Sequence, residues 1–93
     1  MIQVLYFAIV RERLGRSEEA FAWKVGMTVQ ALSDEILEAN PQLTPYLPYV
    51  RFALNETFVN DLSTDLLDGD VLALIPPVSG GNQLPLLTEA PIE

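Results

Sequence analysis

The sequence contains no cysteine and no histidine. The first absence removes disulfides and thiolate nucleophiles, the second removes imidazole bases, and together they take away the usual transition-metal ligands. No Ser-His-Asp arrangement can be built, so Ser17, Ser33, Ser63 and Ser79 have no imidazole to activate them and read as turn or cap residues. Basic residues are scarce: five Lys and Arg stand against thirteen Asp and Glu, a formal net charge of −8. Nucleic-acid binders displace phosphate counterions with Lys and Arg, so this balance speaks against nucleic acid and for basic protein surfaces. Long apolar runs are missing as well. Nothing approaches the ~20 apolar residues that cross a bilayer. The apolar start, Met1 to Val10, lacks the basic first region of a signal peptide and breaks into Arg11-Glu12-Arg13. It reads as a strand, and the chain as a cytoplasmic protein with no membrane partner.

What is present fits one small domain: 93 residues, of which 49% are hydrophobic and 19% charged, a balance in which burial offsets ordering entropy. Ile2 to Phe7, apolar except for Gln3, suits a buried opening strand. Ala8 to Leu14 changes period, with Val10 and Leu14 four apart and Gly15 able to take positive φ at a helix end, which gives a short helix. Glu18 to Val25 alternates, with Ala20, Ala22 and Lys24 on one side and Phe21, Trp23 and Val25 on the other, as in a half-buried strand paired antiparallel with the first. Thr28 stands where an N-cap belongs. Val29, Leu32 and Ile36 follow on one helix face, Glu35 and Glu38 turn away, and Asn40-Pro41 ends this main helix. Pro41, Pro45 and Pro48 mark a loop, Val50 to Leu54 and Thr57 to Val59 are strands around an Asn55-Glu56 turn, and Leu66 to Asp70 is a tight turn. Val71 to Ile75 is the last strand, stopped by Pro76-Pro77. The order predicts an α+β fold, with one main helix and a short first helix on a mixed sheet of about five strands.

Strand periodicity leaves apolar residues that the helix cannot reach. If Ile2, Val4 and Tyr6 face it, Leu5 and Phe7 face away; with Leu72 and Leu74 inward, Val71, Ala73 and Ile75 point out. The far face of the sheet then carries an apolar patch suited to a protein partner, unless a loop covers it. Asp68 and Asp70 flank Gly69, and carboxylates so placed satisfy local backbone donors rather than forming a metal or acid-base pair. Glu18-Glu19 and Glu35/Glu38 read as solvated faces.

The segment Asp68 to Gly81, DGDVLALIPPVSGG, resembles the C-terminal end of the small subunit of molybdopterin synthase, a ubiquitin-like sulfur-carrier family. VLYFAIVRERLG at residues 4–15 and FALNETFV at residues 52–59 are similar to the same family. The resemblance implies a ubiquitin-like β-grasp domain over residues 1–81, acting as a sulfur carrier in molybdenum cofactor biosynthesis. An ATP-dependent activating enzyme adenylates the terminal glycine carboxylate, sulfur replaces AMP to give a thiocarboxylate, and the tail enters the large subunit to deliver sulfur to a cyclic pterin precursor. Carried over by position, Gly81 is the reacting carbonyl, with Gly80 beside it; lacking Cβ, the pair can thread a narrow channel. Phe7, Phe58 and Ile75 match apolar contacts with the large subunit, Ile75 standing where an aromatic is common. Pro76, Pro77, Val78 and Ser79 lead the tail into that partner. Arg11 matches a position near the activating enzyme, or else is a solvated helix-face charge. The resemblance implies no cofactor and no metal in the carrier, which is no enzyme in isolation but a subunit of a sulfurtransferase.

In that family the glycine pair ends the chain, whereas here residues 82–93, NQLPLLTEAPIE, follow and hold the Gly81 carbonyl in a peptide bond. LLTEAPIE resembles the opening of the large subunit, so the expectation is a fusion whose cleavage after Gly81 frees carrier and partner; the alternative is a plain extension. Two further readings stay open: a thiamine-type sulfur carrier, whose members are shorter and lack the Pro-Pro-Val-Ser lead, and a non-catalytic docking domain with Gly80-Gly81 as an interdomain hinge. Acidic charge of this size steers encounter with basic surfaces, so the association rate with either expected partner should fall as ionic strength rises, which stopped-flow mixing checks.

Overall fold

Alternate residues of the first strand, β1 (Ile2–Tyr6), are driven to one side of a sheet: Ile2, Val4 and Tyr6 are buried while Gln3 and Leu5 point the other way. The last strand, β5 (Val71–Ile75), repeats the pattern with Leu72 and Leu74 buried. The two lie side by side in parallel, Gln3 against Val71 through Tyr6 against Leu74. The structure, a computed structural model, describes residues 1–77. On the outer side of β1 runs β2 (Glu18–Phe21), antiparallel. On the outer side of β5 runs β3 (Arg51–Leu54), antiparallel, followed by β4 (Thr57–Val59) at the edge. The sheet order is β2-β1-β5-β3-β4, five strands with a parallel pair at the centre.

One helix, α2 (Val29–Ala39), closes the core by placing Val29, Leu32 and Ile36 in the cluster that holds Ile2, Val4, Tyr6, Leu72 and Leu74. Thr28 caps it, its hydroxyl accepting from the Ala31 amide at 3.1 Å. Asn40 ends it before Pro41. The short helix α1 (Ala8–Leu14) buries Val10 and stops at Gly15, whose φ of 70° is left-handed. This is the β-grasp arrangement, with an expected element order that the structure bears out. No helix of the described residues is long and apolar enough to cross a membrane.

Several boundaries and placements differ from the sequence reading. β2 ends at Phe21 rather than Val25, because Phe21 lies opposite Ile2 and β1 offers no partner beyond it. Trp23 still packs against the core, its indole N–H donating to the Leu66 carbonyl at 2.8 Å, but Val25 is 89% exposed. β1 yields to Phe7 at the N-cap of α1, and β3 begins one residue after Val50. The proline loop contains two 3-10 turns, Pro41–Leu43 and Leu47–Tyr49, which bury Leu43. Ser33 lies buried in the interior of α2, neither turn nor cap.

Glu19 is not a solvated carboxylate. It accepts from the Tyr6 hydroxyl at 2.7 Å and from Asn40 Nδ2 at 3.3 Å, while Arg16 lies 3.3 Å from its second oxygen. Tyr6 and Asn40 are each 1% exposed, so this network ties β1, β2 and the end of α2 together inside the core. Burial, then the neighbouring Glu19, raises the Tyr6 phenol pKa well above its ordinary value. Because the folded value lies above the unfolded one, the neutral phenol's contribution is fully present below about pH 10 and is lost above it, as the unfolded chain sheds a proton that the native state keeps. Tyr6→Phe should cost about 1 kcal/mol at neutral pH. It should also flatten the alkaline fall in stability, as read by urea unfolding across a pH series.

Candidate functional site

Because β5 is central, each of its outward residues sits in a row of outward residues from neighbouring strands. Ala73 lies between Leu5 of β1 and Ala53 of β3, and Ala53 lies opposite Phe58 of β4. Ile75 lies opposite Arg51. The β1–β5 register pairs Tyr6 with Leu74, so its next step brings Phe7 beside Ile75. Phe7 is still extended, with φ −131° and ψ 156°, and thus continues the alternation of β1 to the far face before α1 begins. Phe7 and Phe58 remain 41% and 47% exposed, and Leu5 and Ile75 are half-buried. The result is an apolar face with small alanines at its centre and aromatic rings toward its rim.

Near its exit side the face carries the charge of Arg51, and Glu18 lies opposite Leu5 at the other border. The Arg51 guanidinium carbon lies 3.9 Å from the centroid of the Phe58 ring, a cation–π contact. At the opposite border the Gln3 amide donates to Glu18. Pro76 is buried and exposed Pro77 follows, so the chain leaves the sheet next to Ile75, with Phe7 and Arg51 on either side. Val78, Ser79, Gly80, Gly81 and residues 82–93 lie outside the described residues. Arg11 is exposed on α1, its amide donating to the Phe7 carbonyl at 3.3 Å, and it enters no ion pair among the described residues.

The structure thus brings Phe7, Phe58 and Ile75 to one side of the sheet, with Pro76 buried and Pro77 exposed where the chain leaves β5. Sequence reasoning missed Arg51, although the same two-residue period that turns Ala53 outward turns Arg51 outward as well.

Asp68 and Asp70 are turn residues. The Asp70 carboxylate accepts from the Leu67 amide at 2.8 Å and from Asn55 Nδ2 at 3.0 Å, and Asn55 Oδ1 accepts from the Val71 amide at 3.0 Å. Gly69, with φ of 94°, takes the left-handed position in this turn. Asp68 pairs with the Met1 amine. Both carboxylates are spent on the turn that starts β5, at the end of the strand away from Ile75. Asp61 accepts from the amide and hydroxyl of Ser63, which hold its carboxyl below the usual range and make Ser63 a turn residue. No group of three or more Asp and Glu among the described residues is placed to hold a metal ion. What the far face can do chemically is bind a protein and present the segment that leaves beside it.

Residues 4–81 match the ThiS family, a match that closes on the second glycine of the pair. Over 81 residues the chain is 41% identical to the molybdopterin synthase sulfur carrier subunit of Chlamydomonas reinhardtii, spanning 86% of this chain and 98% of that one. Among solved structures it is similar to SAMP1 from Haloferax volcanii, with TM-score 0.77 and 26% identity over 86% of this chain and 98% of that one. It is also similar to a chain in the protein–protein complex of subunits 1 and 2 of the molybdopterin-converting factor from Helicobacter pylori, with TM-score 0.63 and 31% identity over 86% and 97%.

The two faces of β5 should respond differently to truncation. Leu74→Ala removes a fully buried side chain and should cost about 2–5 kcal/mol. Ile75→Ala, one residue on but facing outward, should cost about 1 kcal/mol. Equal losses in urea unfolding would mean that the outer face is packed like the core.

Proposed function

The chain belongs to the ThiS family, and from that premise we propose that it is the sulfur carrier of a molybdopterin synthase, charged at the carbonyl of Gly81. The observation that carries the reading is the coincidence of an exposed apolar face with the point where the chain leaves the sheet at Pro76-Pro77 toward Gly80-Gly81. A carrier must dock and at the same time deliver a short arm, and docking beside the arm's root fixes how far the arm reaches. The name of the relative from Chlamydomonas reinhardtii favours molybdopterin over a thiamine-type pathway. The complex of subunits 1 and 2 from Helicobacter pylori favours a large subunit as the partner on the Phe7, Phe58 and Ile75 face.

The chemistry asks little of the carrier's side chains. The Gly81 carboxylate attacks the α-phosphorus of ATP on an activating enzyme, pyrophosphate leaves, and a sulfur nucleophile then displaces AMP to leave a thiocarboxylate. The large subunit receives the arm, with Pro77, Val78 and Ser79 along its entry, and the sulfur passes to a cyclic pterin precursor. Arg11 is assigned to the contact with the activating enzyme by resemblance, and its exposure one turn beyond Phe7 supports that assignment. Adenylation needs a free carboxylate, so the reading requires hydrolysis of the peptide bond after Gly81, which separates residues 82–93, the opening of a fused large subunit by resemblance. We assign this work to the cytoplasm, a compartment that supplies the ATP the charging step needs.

The test is the intact mass of the protein from its native cells, before and after incubation with ATP, a sulfur donor and the activating enzyme. The expected species ends at Gly81 and gains the mass change of one oxygen replaced by sulfur. A chain that stays full length and unmodified, with Gly81→Ala silent in cofactor synthesis, would favour Gly80-Gly81 as an interdomain hinge and overturn the carrier reading.

A further inference from the structure

The docking face is apolar from Leu5 and Phe7 across Ala73 and Ile75 to Ala53 and Phe58, yet a full positive charge stands at its border in Arg51. In a chain of net charge −8 this placement runs against the general sign of the molecule. Arg51 enters no ion pair among the described residues, in contrast to Arg16, which pairs with Glu19. Nor does it share the fate of Arg13, whose Nε donates to the Tyr46 hydroxyl at 2.9 Å. Its recorded contact is the ring of Phe58, at 3.9 Å.

A cation over a ring is satisfied on one side only. Its N–H donors still need acceptors, which water supplies while the face is exposed. A partner that covers Phe58 and Ile75 also covers Arg51, since Arg51 lies directly across the ladder from Ile75 and against Phe58. Burying a guanidinium without an acceptor is costly enough to cancel the gain from the apolar contact around it. Complementarity therefore demands an acceptor from the partner, and a carboxylate matches the guanidinium in both charge and fork geometry.

Resting on the carrier reading, we propose that Arg51, held on Phe58, is a specificity-determining element of the docking face, and that the large subunit meets it with a carboxylate. The partner surface as a whole is expected to be basic, to suit the acidic carrier. A single carboxylate set into such a surface fixes the register of docking, and it rejects carriers that present an acidic or apolar residue at this point.

The experiment measures the affinity of the full chain for the molybdopterin synthase large subunit from the same cells, for the parent and for Arg51→Glu, Arg51→Lys and Ile75→Asp. Each variant's melting curve serves as a check on folding. Arg51→Glu is expected to weaken binding about 30- to 100-fold, with Arg51→Lys intermediate. Changing one Asp or Glu of the large subunit to Lys should restore affinity for Arg51→Glu while weakening the parent. If Arg51→Glu binds within about threefold of the parent while Ile75→Asp does not bind, the Arg51 proposal is overturned and the docking face stands. If Arg51→Glu weakens binding but no charge reversal on the partner restores it, the carboxylate is overturned. If the folded parent itself fails to bind, the carrier reading and the Arg51 proposal fall together.

Discussion

The parallel pairing of β1 with β5 is the contact on which the other arrangements rest. Two strands that are distant in sequence and run the same way cannot be joined by a tight turn, so the chain between them must cross over. Here the crossover holds α2 and both β3 and β4, and it returns the chain to the centre of its own sheet. β5 is apolar on both faces: Leu72 and Leu74 go to the helix, Val71, Ala73 and Ile75 to the far side. The same placement sets the far face and the exit of the chain next to each other, because β5 ends where Phe7 follows β1 and Arg51 opens β3. Core and far apolar face are therefore two consequences of one pairing.

The second constraint is polar. Tyr6, on the core side of β1, reaches past the aliphatic cluster to Glu19 of β2, and Asn40 meets the same carboxylate oxygen from the end of α2. Asn40 Nδ2 also donates to the Ile36 carbonyl at 3.0 Å, which satisfies a helix-terminal acceptor inside the core. Such a network fixes orientation, since a hydroxyl, a carboxylate and an amide must meet at short range, where an apolar contact would tolerate sliding. It holds the helix in place over β1 and β2, so that the outward residues of β1 keep their positions relative to those of β5.

Much of this was legible in the sequence because two-residue alternation, a Thr28 cap, a glycine after α1 and the Pro76-Pro77 stop are local signals. The outward placement of Phe7 and Ile75 followed from periodicity alone. What was not legible depended on partners far along the chain. Alternation continues to Val25 and so predicts a longer β2, and only the start of β1 at Ile2 shows where pairing runs out. Glu19 read as a surface charge because its neighbours Tyr6 and Asn40 are distant in sequence. Arg51 looked like an ordinary strand residue until Phe58, from the next strand, was placed under it.

The far face also explains how a chain so poor in chemical groups can take part in a reaction. Asp68 and Asp70 are committed to the turn before β5, and what the described part of the molecule presents beside the exit of the chain is an apolar surface suited to recognition. Recognition by an apolar face alone is weakly discriminating, because any apolar surface of fitting shape gains about the same free energy per area. A buried charge changes that, since it penalises every partner that lacks its counterpart. Among the described residues, Arg51 is the one cation on the strands of this face, and it stands where the chain departs. On the proposed carrier reading, a partner selected by that charge is thereby oriented with respect to the arm, so one contact would serve both to choose the acceptor and to aim the delivery.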